Sequence, residues 1–348
     1  MTVTIDGRNI GPGHPPYIIA ELSANHNGSL ERALETIDEA HRRGADAVKL
    51  QTYTADTMTI DSDRPEFQLT EGPWAGYKLY DLYKWAQTPF EWHQAMFEHA
   101  RKLGLTVFST PFDETAVDLL ESLNAPAYKV ASFELTDLPL IEYIAKTGKP
   151  IIMSTGMASE EEIQEAVETV RRGGCEQLVL LHCISSYPAP MEQANLAQVM
   201  ELGKRFHAVP GLSDHTLGTT ASVAAVALGA CLIEKHFTLS RNDKGPDSDF
   251  SIEPDELERL CVDTKDAWSA IGNAGYARQQ AEKGNKQFRR SIYFVKDLAA
   301  GAVIRESDIR RIRPGAGLDP KYFKDVVGKR LKVDVTHGTP TNWEQFDG

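Results

Sequence analysis

No apolar run in this 348-residue chain approaches the roughly 20 residues that a membrane-spanning helix needs. The N-terminal stretch MTVTIDGRNIGPGHPP has neither the basic nor the apolar region of a secretory signal, so a cytoplasmic location is expected. Cysteine is scarce. The four present (Cys175, Cys183, Cys231, Cys261) have no CxxC or framework spacing, and three sit in apolar segments, which reads as reduced, buried thiols. Positive charge is short as well: 37 Lys and Arg face 50 Asp and Glu, a net charge of −13. That balance excludes the basic surface that nucleic acid demands. It leaves room for a small anionic substrate, because a few inward-facing cations suffice locally. Also missing is a glycine-rich phosphate fingerprint after the first strand-like segment, which speaks against a doubly wound dinucleotide-binding sheet.

What is present is ample apolar material, 41% of residues with 25% charged, as in soluble globular proteins. The length suits one large domain and a small one. Eight short apolar runs recur: 17–24, 46–53, 105–110, 127–132, 150–155, 178–183, 208–214 and 231–237. They are continuous rather than alternating, as buried parallel strands are. Amphipathic segments such as 29–44, 89–104 and 159–174 lie between them, several opening on a cap-like residue and closing on glycine. Eightfold strand–helix alternation predicts an α/β fold of the (β/α)8 TIM-barrel type over 1–272. The connection 52–88 is too long for filler and rich in Trp and Tyr, so it reads as a lid or substrate loop. Residues 273–290 are polar and read as a linker, and 291–348 as a small separate domain with short strands and frequent turns. A unit that small is marginal alone, so docking against a barrel is expected.

Barrel active sites are built at the C-terminal ends of the strands. Those ends supply Glu21, Asn25 and His26; Lys49 and Gln51; Ser109 and Thr110; Lys129, Ser132 and Glu134; Ser154 and Thr155; Ser185, Ser186 and Tyr187; Ser213, Asp214 and His215; and Glu234, Lys235 and His236. Lys49 and Lys129 interrupt apolar strands, where an unpaired ammonium costs several kcal/mol. With hydroxyls around them they form a candidate cradle for phosphate or carboxylate. The plainer alternative pairs each with a buried carboxylate such as Glu21 or Glu234. His215 and His236 end adjacent strands, which makes them a candidate metal pair, against the plainer alternative of two satisfied core histidines. A closed structural zinc site would need more protein ligands. His14, His41, His93, His99, His207 and His337 have no comparable setting and read as structural.

The phrases AELSANHNGS, ADAVKLQTYTADT, FSTPFDETAVDLLE, AYKVASFE, IIMSTGMAS, SSYPAP, GLSDHTLG, IEKHFTL, GPDSDFS and RPGAGL occur in series along the chain. Together they resemble the sialic acid synthase family, including its C-terminal antifreeze-like SAF module. ELSANHNG, SFELTD and GPDSDFS are most similar to the pseudaminic acid synthase branch. The resemblance implies condensation of phosphoenolpyruvate (PEP) with an N-acetylated amino sugar, here 2,4-diacetamido-2,4,6-trideoxy-L-altrose, with release of phosphate. N-acetylneuraminate and legionaminate synthesis are the neighbouring alternatives. The resemblance assigns Lys49, Thr110, Lys129, Ser132, Ser154, Ser213 and one of Ser185 or Ser186 to PEP. It assigns Gln51, Tyr187, Asp247 and Arg313 to the sugar. His215 and His236 would hold a divalent ion (Mn2+, Mg2+ or Co2+), and Glu21, Glu134 and Glu234 are the candidates for moving protons. It also implies a homodimer with swapped small domains. A non-catalytic carbohydrate-binding protein is the alternative of another class, and it would leave the lysine and histidine pairs without a task.

Overall fold

The computed structural model describes residues 1–347; Gly348, the last residue of the expected small domain, lies outside the described residues. The chain divides into two compact units, the first spanning Met1–Gly272 and the second beginning at Asn273. The first is a (β/α)8 barrel. A hairpin of β1 (Val3–Ile5) and β2 (Arg8–Ile10) precedes eight parallel strands: β3 (Tyr17–Glu21), β4 (Ala47–Thr52), β5 (Thr106–Pro111), β6 (Tyr128–Val130), β7 (Ile151–Ser154), β8 (Leu178–Cys183), β9 (Val209–Asp214) and β10 (Leu232–His236). They pair in sequence order, and β10 closes the ring between β9 and β3.

Strand side chains alternate between faces, and here both faces are apolar, so the runs read as continuous. Outward residues such as Ile18, Val48, Leu50, Val107, Met153 and Ile233 pack under the helices in one core. Inward residues such as Tyr17, Ile19, Phe108, Ile152 and Leu181 form a second core, which also includes Val3, Ile5 and Ile10 of the hairpin. The hairpin therefore plugs the barrel's N-terminal end. The periodicity argument missed it because each strand has only three residues.

Helices α1 (Leu30–Arg42), α2 (Ala55–Met58), α3 (Leu79–Ala86), α4 (His93–Leu103), α5 (Glu114–Ser122), α6 (Leu138–Ala145), α7 (Glu160–Arg172), α8 (Ala197–Phe206), α9 (Thr220–Ala227) and α10 (Pro254–Ile271) complete the unit. The expected caps are there: Ser29 accepts from the Arg32 amide, Ser159 forms a capping box with Glu162, and Gly104 ends α4 at φ 73°. The long connection between β4 and α4 is not irregular throughout, since it carries α2 and α3. Among the described residues, no helix is long and apolar enough to cross a membrane. All four cysteines are free and buried.

The second unit has an antiparallel pair, β11 (Ser291–Phe294) and β12 (Ile309–Ile312), and a short helix α11 (Phe323–Val326). Its own core contains Ile292, Phe294, Ile304, Ile309, Leu331 and Phe346. The polar run 273–290 differs from a plain linker in holding a 3-10 helix, Gln280–Phe288, with every residue exposed. In RPGAGL the Gly317 α-carbon lies against the Ile292 carbonyl oxygen, where a Cβ would clash.

Parity also corrects part of the strand-end inventory. Asp214 and Lys235 face the helix layer rather than the barrel mouth and pair with each other at 2.9 Å, both about 1% exposed. The Asp214 carboxylate accepts further bonds from Thr216 and Ser222. Lys235 and these hydroxyls outweigh burial and hold its pKa below the usual carboxylate range. Lys235→Met leaves that carboxylate buried without its cation. The expected loss is about 3–5 kcal/mol of stability, read from the urea midpoint, and adding Asp214→Asn recovers part of it.

Candidate active site

Inward-facing residues change character along the barrel, from apolar at the plugged end to polar at the C-terminal mouth. Lys49 and Lys129 form the polar floor, 4% and 2% exposed. Lys49 Nζ lies 2.8 Å from Glu21 Oε2 and 3.6 Å from Glu234 Oε1, and it donates to Thr110 Oγ1 at 3.1 Å. Lys129 Nζ is 3.9 Å from Glu234 and donates to the Val130 carbonyl at 3.1 Å. The Ser213 hydroxyl donates to Glu234 at 3.4 Å. Each lysine thus has a buried carboxylate partner, as the plainer alternative expects, and Lys49 also has the Thr110 hydroxyl beside it.

The charges in this cluster are set by one another. Burial pushes Glu21 up to about 7 against the pull of Lys49, and the neighbouring Glu234 adds to the rise. Burial acts on Glu234 in the same sense, but Lys129, Lys49 and His215 outweigh it and hold it below the usual carboxylate range. Burial lowers Lys129, while for Lys49 the two carboxylates overcome burial and raise it.

Beside the floor lie the hydroxyls of the loops after β6, β7 and β8. The Gly156 amide donates to Ser132 Oγ at 3.1 Å. A Cβ on Gly156 would stand 2.8 Å from Ser132 Oγ and collide with Ser185 Oγ, so glycine is what lets the three meet. Ser185 belongs to this group. Ser186 is exposed and donates to the Pro188 carbonyl. Ser154 Oγ is fully enclosed without a hydrogen-bond partner.

His215 and His236 meet at the mouth with ring centroids 5.4 Å apart. His215 Nδ1 is 3.0 Å from the Ile184 carbonyl. A carbonyl only accepts, so Nδ1 carries the hydrogen and Nε2 is left to take a ligand. His236 makes no hydrogen bond, and its Nδ1 is enclosed without a partner. Burial and the neighbouring His215 hold its pKa well below the usual value, so the ring is neutral. Burial acts to lower the His215 pKa, but Cys183 and Glu234 outweigh it and raise it, so a divalent ion shared by the two imidazoles, completed by water or substrate oxygens, would bind with loss of the second His215 proton. No group of three or more His, Cys, Asp or Glu arranged for a metal occurs among the described residues.

Above this floor opens a cleft of about 350 Å³. Its polar wall includes Ser23, Gln51, Glu134, Tyr187, His236 and Asp247, so Gln51, Tyr187 and Asp247 line one cleft. Gln51 Nε2 donates to Glu21 at 3.0 Å and to Ser23 Oγ at 2.9 Å, and the Ser23 hydroxyl donates to Asp247. A continuous chain thus links the floor to the cleft. Ser23 was not singled out from the sequence; its φ of 47° within LSAN turns it into the site. Glu134 lines the cleft, has an enclosed Oε2 without a partner, and is pushed by burial up to about 7. The Tyr187 ring packs 4.3 Å from His215 and 5.1 Å from Phe250. Segment 52–88 covers the opening: Trp74 Nε1 donates to the Pro246 carbonyl at 2.9 Å and its ring lies 5.7 Å from Tyr187.

Other strand-end residues do different work. Asn25 ties the β3 loop to the Phe237 carbonyl and Ser251. His26 contacts Thr88 and Trp92 at the far end of the covering segment. Ser109 bonds Thr52, which bonds His93, in the helix layer. Arg313 is exposed on the loop after β12 in the second unit.

Comparison with known proteins places these features. The NeuB family matches residues 36–276 and the SAF domain matches 289–347. Pseudaminic acid synthase of Campylobacter jejuni is 42% identical over 330 residues, covering 95% of this chain and 96% of that one. N,N'-diacetyllegionaminic acid synthase of Legionella pneumophila is 37% identical over 337 residues, 95% of this chain and 94% of that one. The crystal structure of the N-acetylneuraminic acid synthetase of Leptospira borgpetersenii in complex with citrate superposes with a TM-score of 0.74 at 32% identity, covering 82% of this chain and 95% of that one. With more than half its length matched, and a mouth that joins a buried lysine–carboxylate floor to a histidine pair, the chain belongs to the NeuB family.

Proposed function

We propose that the protein condenses PEP with 2,4-diacetamido-2,4,6-trideoxy-L-altrose to give pseudaminic acid and phosphate. In this reading 1–272 is the catalytic barrel, 273–290 a linker and 291–348 the SAF module. The observation that carries it is the layering of the mouth. A floor with two lysines and several hydroxyls suits an anion, and the cleft above it has no lysine or arginine in its wall. A phosphorylated sugar would need such cations, whereas an uncharged acetamido sugar suits aromatic and amide walls. The greater identity to the pseudaminic than to the legionaminic acid synthase supports the choice of sugar.

The residues take these roles. Lys49, Lys129 and the hydroxyls of Thr110, Ser132, Ser154, Ser185 and Ser213 hold the phosphate and carboxylate of PEP, fixing its C3 towards the sugar. Gln51, Tyr187 and Asp247 orient the open-chain sugar. A divalent ion on His215 and His236, when bound, supplies Lewis-acid polarisation of the aldehyde oxygen. The C3–C1 bond forms with the enol electrons of PEP, water adds at PEP C2, and phosphate leaves by C–O cleavage, which leaves the 2-keto acid. Glu21 and Glu234 are held by lysines. Glu134 makes no ion pair among the described residues, its Oε2 has no hydrogen-bond partner and burial raises its pKa to about 7 against the pull of Lys129, so it is the carboxylate placed to take the proton of the incoming water.

Three outcomes test this reading. With PEP, the 6-deoxy diacetamido altrose yields phosphate and a nonulosonic acid seen by mass spectrometry, and N-acetylmannosamine yields little; faster turnover of N-acetylmannosamine moves the assignment to neuraminic acid synthesis. EDTA abolishes phosphate release and Mn2+ restores it, while His215→Ala and His236→Ala each lose Mn2+ binding by calorimetry. Full activity of stripped enzyme overturns the metal assignment.

The third outcome concerns Arg313, which in the family pattern serves the sugar of the partner protomer in a swapped dimer. Losing one charged hydrogen bond costs about 1.5–3 kcal/mol, or roughly ten- to a hundredfold in kcat/KM. Arg313→Ala subunits mixed with Lys129→Ala subunits regain activity, because each heterodimer holds one intact site. Heterodimers that stay inactive overturn the swapped arrangement.

A further inference from the structure

The wall of the cleft is sorted by chain segment. Apart from the hydroxyls of Tyr53 and Tyr83 and the indole of Trp74, its polar side chains come from the strand ends and the loops that follow them. Segment 52–88 contributes Met58, Leu69, Leu79, Leu82 and Ala86, with the aromatic Tyr83 and Trp74. The segment is far from apolar overall: it carries Asp56, Asp61, Asp63, Arg64, Glu66, Glu71, Lys78, Asp81 and Lys84. Yet none of these lines the cleft. Lys78 is 2.5 Å from Asp61 and 3.3 Å from Asp63, and Arg64 is 2.6 Å from Glu66, so two of its three cations pair with the segment's own acids, and the third, Lys84, is exposed. The aliphatic residues are the inner face, with Leu82 only 6% exposed. Tyr53, at the start of the segment, is locked edge-on against Tyr83 and Phe112.

A sugar in this cleft has a fixed direction. Its aldehyde carbon must meet PEP on the lysine floor, next to His236 and Gln51. The opposite end of the open chain is then turned away from the strand ends, towards the covering segment. We propose that the aliphatic face of residues 58–86 is the specificity element of the site, taking the deoxygenated, methyl-terminated end of the sugar and discriminating against a terminal hydroxymethyl group. This rests on the condensation proposed above. A terminal hydroxyl there would lose its water against Leu69, Leu79 and Leu82, whose side chains offer no donor or acceptor. An apolar pocket rejects a hydroxyl-bearing isostere by about a hundredfold.

The test uses matched sugar pairs that differ only at C6, deoxy against hydroxy, in both the diacetamido-altrose and N-acetylmannosamine series. For each pair kcat/KM is measured where turnover occurs, and Kd by calorimetry in every case. The full-length protein is used as wild type, Leu69→Ser and Ala86→Ser. Ala86→Ser adds one hydroxyl with almost no volume, so its fold is safe if Leu69→Ser proves unstable. The expected result is a preference of about a hundredfold for the 6-deoxy member. It falls about tenfold in either variant, through the sugar KM, with the KM for PEP unmoved. Equal binding of both members by the wild type, or an unchanged ratio in folded variants, overturns the specificity element. Failure of the pseudaminic reading looks different: the altrose pair is not turned over, while the 6-deoxy preference in Kd persists.

Discussion

Everything at the barrel mouth depends on four charges taken out of water together. Lys49, Lys129, Glu21 and Glu234 are each 5% exposed or less, and singly any of them would cost several kcal/mol. As a group they are tolerable because Lys49 touches both carboxylates and Glu234 faces both lysines. The arrangement is not a stabilising device, since a packed apolar floor would serve the fold as well or better. Its effect is electrostatic. Burial raises Glu21, so it offsets the lysines less than a full carboxylate, and an incoming anion favours the charged form of Lys129, which burial lowers, where the dielectric is low.

The cluster also explains why the histidines sit where they do. His236 follows Glu234 by two residues on β10, so both point inward, and β9 brings Ser213 and then His215 alongside. Alternation on two neighbouring strands is thus enough to set a ligand-ready imidazole pair at the edge of the anion floor. Tyr187 closes over both rings, 4.3 Å from one and 6.2 Å from the other, and Trp74 of the covering segment rests on Tyr187. Tilted and edge-on aromatic rings thus form the apolar cover of the histidine pair.

Much of this was legible before any coordinates. Continuous apolar runs at regular spacing announce buried parallel strands, and lysines inside such runs announce either a site, as at Lys49 and Lys129, or a buried ion pair, as Lys235 makes with Asp214. What was not legible follows from the limits of one-dimensional pattern. Strand ends list residues of both parities, so Asp214, Lys235 and Ser109 looked equal to Ser213, Glu234 and Thr110 until the pleat sent them to opposite faces. Ser185 and Ser186 are neighbours with the same chemistry, and only the close approach of Gly156 separates them. The hairpin β1–β2 is too short to show a period, although Val3, Ile5 and Ile10 fill the barrel's end.

A chain of net charge −13 binding an anion is no contradiction once location is weighed against number. The excess acid is largely on solvated faces, such as the first turn of α7 with Glu160, Glu161 and Glu162, where water and salt screen it within about 10 Å at 0.1 M ionic strength. Lys49 and Lys129 act instead through protein at a few ångströms, where the same unit charge is worth several times more. The cleft wall adds the complementary constraint. With no lysine or arginine in that wall, this barrel offers a second anionic group no partner of its own there. Two anionic substrates would compete for one cradle, whereas one anion beneath one neutral sugar fills both layers. In the proposed condensation, the separation of charge between floor and cleft orders the two partners, the anion on the floor and the sugar above it.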